Sequence, residues 1–144
     1  MNTFFIAVKD GTIKGLKTGL MLLKIMLPIY FIVVLIKYSP IMPWLQNFFE
    51  PSMGLFRLPG NAIVPIITGI FTDEYGVIAA MKSFGFSMVQ ITTIAMITLT
   101  VHSLPVESAI SKKIGLPPLK IALFRIALAI FIGLLVGWLG GIFK

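Results

Sequence analysis

Basic residues bound the apolar runs of this chain rather than interrupt them. Lys9, Lys14 and Lys17 precede one run, Lys37 closes it, and Lys112, Lys113 and Lys120 lead into the last. Only 12% of the residues are charged, against 58% hydrophobic. Soluble domains carry about 25% charged residues. A chain with half that share has lipid for much of its solvent. The expected fold class is all-α integral membrane: about three transmembrane helices, an interfacial N-terminal helix and a re-entrant helical hairpin, in a single membrane domain over 1–144.

The same pattern excludes several function classes. A net charge of +7 suggests nucleic acid at first. Its placement at the ends of apolar runs makes it a topology signal instead, since Lys and Arg favour the cytoplasmic side. With no cysteine, disulfides, thiol catalysis and Cys-based metal sites are ruled out. One His and five carboxylates leave little for a metal. No nucleophile–base pair, metal-ligand spacing or phosphate loop stands out, so neither enzyme, cofactor nor metal is expected.

Residues 3–19 read as an amphipathic helix lying in the interface. Phe4, Phe5, Val8, Ile13 and Leu16 fall on one face, Asp10, Lys14 and Lys17 on the other. Residues 20–37 read as a retained span, because no small-x-small cleavage site follows. Residues 41–58 are too often interrupted to span, by Pro43, Gln46, Asn47, Glu50, Pro51 and Arg57. Trp44, Phe48, Phe49 and Phe56 suit an interfacial belt there.

The most informative segment is 59–86. Its first apolar part runs only from Ala62 to Phe71, weakened by Pro65 and Gly69. A spanning helix needs about 20 residues. Thr72-Asp73-Glu74 then breaks the pattern, and Tyr75–Phe86 supplies a second short piece. Two half-length helices around a polar turn read as a re-entrant hairpin, the kind of segment that marks a transporter's binding site. The alternative is one poor span from Ile63 to Ala80. That would bury Asp73 and Glu74 at mid-membrane, at about 2.5 kcal/mol or more each.

Residues 87–108 read as a polar span broken near Pro105. On an ideal helix, at about 100° per residue, Gln90, Thr93, Thr100 and Glu107 share one third of the circumference. Such a face either glues helices together or lines a site, and Thr92 and Thr98 read as glue. Pro105 lacks an N–H and frees a carbonyl near Val101. His102 and Glu107 flank this break as a candidate proton or ion site; the bland alternative is a kinked helix end at the headgroups. Residues 109–118 form a loop, and 119–143 a span with Lys120 and Arg125 snorkelling near its start. Gly133, Gly137 and Gly141 form a small-residue stripe for helix packing, within one chain or between two.

Leu58-Pro59-Gly60-Asn61, then Pro65 and Thr68-Gly69, then His102-Ser103-Leu104-Pro105-Val106-Glu107, resemble the nucleoside-recognition or gate domain. That domain occurs in concentrative nucleoside transporters, in ferrous-iron transporters, and as small stand-alone proteins such as spore maturation proteins A and B. The resemblance covers about Gly54 to Val136 and is strongest to the small members. It implies that Gly60, Asn61 and Thr68 lie on the family's hairpin and that Gln90 and Thr93 lie on the broken helix facing it. Two features depart from the large transporters: a single copy of the repeat, and no cysteine in the hairpin, which argues against iron as cargo.

The expected function is therefore a single-repeat half-transporter. It would pair to complete a mid-membrane polar site for a small solute, a nucleoside for example, with a coupling ion. Its partners would be the bilayer and a second copy, antiparallel included, or a paralogous gate-domain protein. The rival is a membrane scaffold that uses its glycine stripe for assembly. Lys9, Lys14, Lys17, Lys24, Lys112, Lys113, Lys120 and Arg125 fall on one side, against Lys37, Arg57 and Lys144 on the other. The expected location is the cell membrane, multi-pass, with the N-terminus cytoplasmic.

Overall fold

A computed structural model describes residues 2–140, except for the side chains of residues 2–5, 22, 25 and 26. Seven helices and no strand occur among the described residues. Two helical stretches, Met88–Lys113 and Pro118–Leu139, are long and apolar enough to cross a membrane. A third candidate is the pair Leu27–Tyr38 and Ile41–Gly54, which meet at 89°. The chain is an all-α membrane protein.

Helix α1 runs unbroken from Asn2 to Tyr38. The interfacial helix expected over 3–19 and the span expected over 20–37 are thus one element. Nothing between Lys17 and Leu20 stops a helix. Gly19 alone costs only about 1 kcal/mol, and no proline occurs before Pro28. The side chains of Phe4 and Phe5 lie outside the described residues. Helix α2, Ile41–Gly54, tolerates Pro43 in its first turn, where the missing N–H has no helical partner anyway.

The centre of the fold is a pair of nine-residue helices. A 3-10 turn, Gly60–Ala62, leads into α3, Ile63–Phe71. The chain breaks at Thr72-Asp73 and resumes as α4, Glu74–Lys82. The Asp73 carboxylate caps α4 by accepting from the Gly76 N–H at 3.1 Å. At 1.5 Å per residue each helix is about 14 Å long, half the hydrocarbon thickness. Helix α3 is the most enclosed of the two, with Ile63, Val64, Pro65, Ile66 and Gly69 buried. It packs on α4 and on α5, Met88–Val101. Helix α4 in turn packs on α1.

The polar span expected over 87–108 is two helices. Helix α5 ends at Val101, and α6 runs from Leu104 to Lys113. Residues 109–113, expected as loop, continue α6, because nothing breaks helix before Gly115, which takes φ +82. Helix α7, Pro118–Leu139, packs lengthwise on α5.

Three glycines set the spacing of these layers. A Cβ at Gly69 would stand 2.8 Å from Val77 Cγ2 and 2.9 Å from Thr98 Cγ2, so α3 touches both neighbours through this residue. On α7, a Cβ at Gly133 would stand 2.7 Å from Ile97, and one at Gly137 would collide with the Phe56 carbonyl. Gly133 and Gly137 thus serve packing within the chain; Gly141 lies outside the described residues. Overpacking of this kind costs about 1–3 kcal/mol. Gly69→Ala should therefore lower the unfolding free energy in detergent by that amount, and the midpoint with it. Gly54→Ala, with nothing within 4 Å, should not. Equal midpoints for the two variants would contradict the close packing at Gly69.

Candidate functional site

Two helix breaks meet at one point. In the second, Ser103 adopts a left-handed backbone, φ 50 and ψ 32, which serine disfavours. Tertiary bonds hold it there. The Ser103 N–H donates to the Gly69 carbonyl at 3.0 Å and the Thr72 carbonyl at 2.9 Å, at the end of α3. The Ser103 hydroxyl donates to the same Thr72 carbonyl at 2.8 Å. The break between α5 and α6 is thereby stitched to the break between α3 and α4. Pro105 follows within the first turn of α6, where it suits a helix start.

A row of ionisable side chains crosses this junction. Glu74, the first residue of α4, accepts from the Thr98 hydroxyl at 3.3 Å through Oε2. Its Oε1 is buried without a hydrogen-bond partner and lies 4.0 Å from His102 Nδ1. On the far side of the ring, His102 Nε2 stands 3.5 Å from Glu107 Oε1 on α6. Glu107 Oε2 pairs with Arg125 Nη1 from α7. Arg125 also serves the open end of α5. Its Nε donates to the Thr100 carbonyl at 2.7 Å, and its Nη2 to the His102 carbonyl at 3.3 Å. The carbonyls freed by the break are thus satisfied by a cation, as a helix C-terminus favours. Four elements contribute to one polar row.

The site residues expected from sequence fall in four places. His102 and Glu107 come together at the junction. Gly60 and Asn61 lie at the opposite end of α3. There the Gly60 N–H donates to Glu50 Oε2 at 3.0 Å, and Asn61 Oδ1 is buried without a partner. A cavity of about 470 Å³ adjoins Asn61, lined also by Lys37, Tyr38, Ser39, Gln46 and Phe84. Lys37 Nζ donates to the Ser83 carbonyl at 2.6 Å and ties α1 to the end of α4. Thr68 donates to the Val64 carbonyl at 2.8 Å, within its own helix, and lines an apolar groove with Ile29, Val33 and Phe71.

Gln90 and Thr93 are not at the junction. Gln90 Oε1 accepts from the Ser87 N–H at 2.8 Å, and Ser87 returns the bond, a capping box at the start of α5. Thr93 is buried and bonded to the Val89 carbonyl at 2.8 Å. The shared face drawn from Gln90 to Glu107 assumed one continuous helix; the break at 102–103 puts Glu107 on another axis.

Glu74 and Arg125 join the row, although neither stands out in the sequence as a site residue. Glu74 read as part of a polar turn, and Arg125 as a snorkelling end residue. The available signal for Arg125 was its depth, two turns inside α7, with Glu107 as the acid to match it. Among the described residues, no three His, Asp or Glu side chains converge closely enough to hold a metal.

An all-α chain with two half-length helices folded together, stitched to a second broken helix, defines a membrane protein of the gate type. The family described as nucleoside recognition, Gate, matches residues 19–135, and the chain belongs to it. The uncharacterized membrane protein YvoD of Bacillus subtilis (strain 168) is 31% identical over 143 residues. That match takes in 98% of this chain and 45% of that relative, so the chain spans less than half of the relative's length. No solved structure matches the chain.

The role of Arg125 yields a double-mutant test. Arg125→Ala leaves two carbonyls unpartnered and strips Glu107 Oε2 of its guanidinium, and should cost about 1–3 kcal/mol in detergent unfolding. Adding Glu107→Gln should cost little more, because the carboxylate has then already lost its guanidinium. Costs that add to within about 0.5 kcal/mol would mean the two side chains act independently.

Proposed function

We propose that this protein is a membrane transport protein whose polar site forms where its two broken helices meet. The observation that carries the reading is the stitch of Ser103 onto the carbonyls of Gly69 and Thr72, beside the row Glu74–His102–Glu107–Arg125. Non-helical backbone is tolerated at membrane depth only where protein or a water-filled cavity surrounds it. Transporters use such discontinuous helices to present backbone and side-chain polar groups to solutes and ions. The helices α3 and α4 act as a re-entrant hairpin, with the Thr72-Asp73 break at its tip. The family description supports a nucleoside as the solute class.

The site is completed by a second gate unit, making this chain a half-transporter. Binding sites in many transporters lie between two repeats. The Bacillus relative has length to spare for another unit of this size. The scaffold reading relied on the glycine stripe, and Gly133 and Gly137 are already taken up by Ile97 and Phe56 of the same chain.

Uptake of a radiolabelled nucleoside such as uridine into proteoliposomes tests the reading. Glu74→Gln and Glu107→Gln should each lower uptake about tenfold or more, the scale of a lost charge-assisted bond. Gln90→Ala should lower stability by about 0.5–2 kcal/mol, as a lost cap, and spare uptake. Normal uptake in both acid variants, or loss in Gln90→Ala alone, would reject the junction as the site.

The N-terminus is cytoplasmic by the placement of Lys and Arg. The native chain has no cysteine, so Lys144→Cys gives a clean label. A membrane-impermeant maleimide should label essentially all molecules in intact cells. Labelling of about half would mean insertion both ways and an antiparallel homodimer.

A further inference from the structure

The hydrogen-bond geometry of His102 assigns a proton to its ring. Nδ1 lies 2.9 Å from the Leu99 carbonyl oxygen. A carbonyl can only accept, so Nδ1 carries the hydrogen of this bond. In a neutral imidazole the other nitrogen then bears a lone pair. That nitrogen, Nε2, points at Glu107 Oε1 from 3.5 Å. A lone pair facing a carboxylate is a contact between two acceptors. It becomes favourable only when a second proton sits on Nε2 and the ring is a cation.

The surroundings favour that cation. His102 has carboxylates from two elements as ion-pair partners: Glu74 at the start of α4 and Glu107 on α6. Asp73 stands beside Glu74 and caps α4. Among the described residues the cation facing them is Arg125 from α7, which is engaged with Glu107 and two carbonyls. Glu74 and Glu107 thus flank the ring while the guanidinium is committed to Glu107, and an imidazolium is the cation that faces both acids.

We propose that His102 is a proton-binding site whose imidazolium clamps Glu74 of α4 to Glu107 of α6 across the two helix breaks. With the proton bound, the cationic ring stands between the acids, Nε2 directed at Glu107 and the Nδ1 edge 4.0 Å from Glu74. When the proton leaves, Nε2 turns acceptor towards Glu107 and that side of the clamp opens. The clamp is therefore present at lower pH and lost as pH rises. Resting on the transport reading above, this makes the proton the coupling ion: its arrival closes the junction that the solute passes.

His102 is the sole histidine of the chain. Histidine labelled with 15N therefore gives ring signals from one residue, in bilayers and without any solute. At pH 7 the wild-type ring should show two protonated nitrogens in a substantial share of molecules. Glu107→Gln should lower that share about threefold or more, because an opposite charge that favours the cation has gone. Glu74→Gln, which leaves the Arg125 pair intact, should lower it as well. A wild-type ring that stays neutral at pH 7, or a share unmoved by both variants, overturns the proposal. Because no solute is present, this outcome is independent of whether uridine is carried. In proteoliposomes that do take up uridine, an imposed pH gradient should change the rate several-fold in wild type and not in His102→Gln. Uptake indifferent to the gradient overturns the coupling role while leaving transport itself in place.

Discussion

The bond from the Ser103 N–H to the end of α3 is the constraint on which the rest of this structure depends. Two helices are broken in an apolar chain, and each break frees backbone groups that lipid cannot satisfy. The structure answers by making the breaks satisfy each other. Ser103 gives its N–H and hydroxyl to the Gly69 and Thr72 carbonyls. Arg125 closes the other exposed carbonyls from α7. Gly69 makes the approach possible, because any side chain there would hold α3 away from Thr98 on α5.

The polar row follows from that meeting. Glu74 opens α4 directly after the first break, and His102 is the last residue before Ser103 in the second. Joining the breaks therefore brings these two together, and the start of α6 adds Glu107 one turn later. Charges that would be costly singly in an apolar setting are arranged as acid, base, acid and cation. The row is partly open rather than sealed: the side chains of His102 and Glu107 are 33% and 41% exposed. Groups that serve only as glue between helices do not need such access.

Much of this was legible in the sequence. The two short helices followed from an apolar length too short to span and from Asp73-Glu74 in its middle. The second break was announced by Pro105, and the family by the residues around Gly60 and His102. What the sequence hid is tertiary. The second break falls at 102–103 because Ser103 is held left-handed by α3, which no local propensity encodes. Arg125 reads as a snorkelling residue until α6 folds back beside it. Gln90 and Glu107 look aligned only on a helix that does not bend. The amphipathic and apolar parts of α1 look separate because composition changes near Leu20, while nothing in the backbone stops the helix there.

The most direct measurement is amide exchange at Ser103, read residue by residue in a bilayer. Interlocked breaks predict strong protection of this amide, comparable with the interior of α5, although it lies outside any helix. They also predict that Gly69→Ala, by pushing α3 from α5, removes the protection without changing the amides of α7. Exchange at Ser103 as fast as in the loop at Gly85 and Phe86 would contradict the interlock, and with it the junction as the organising site of this protein.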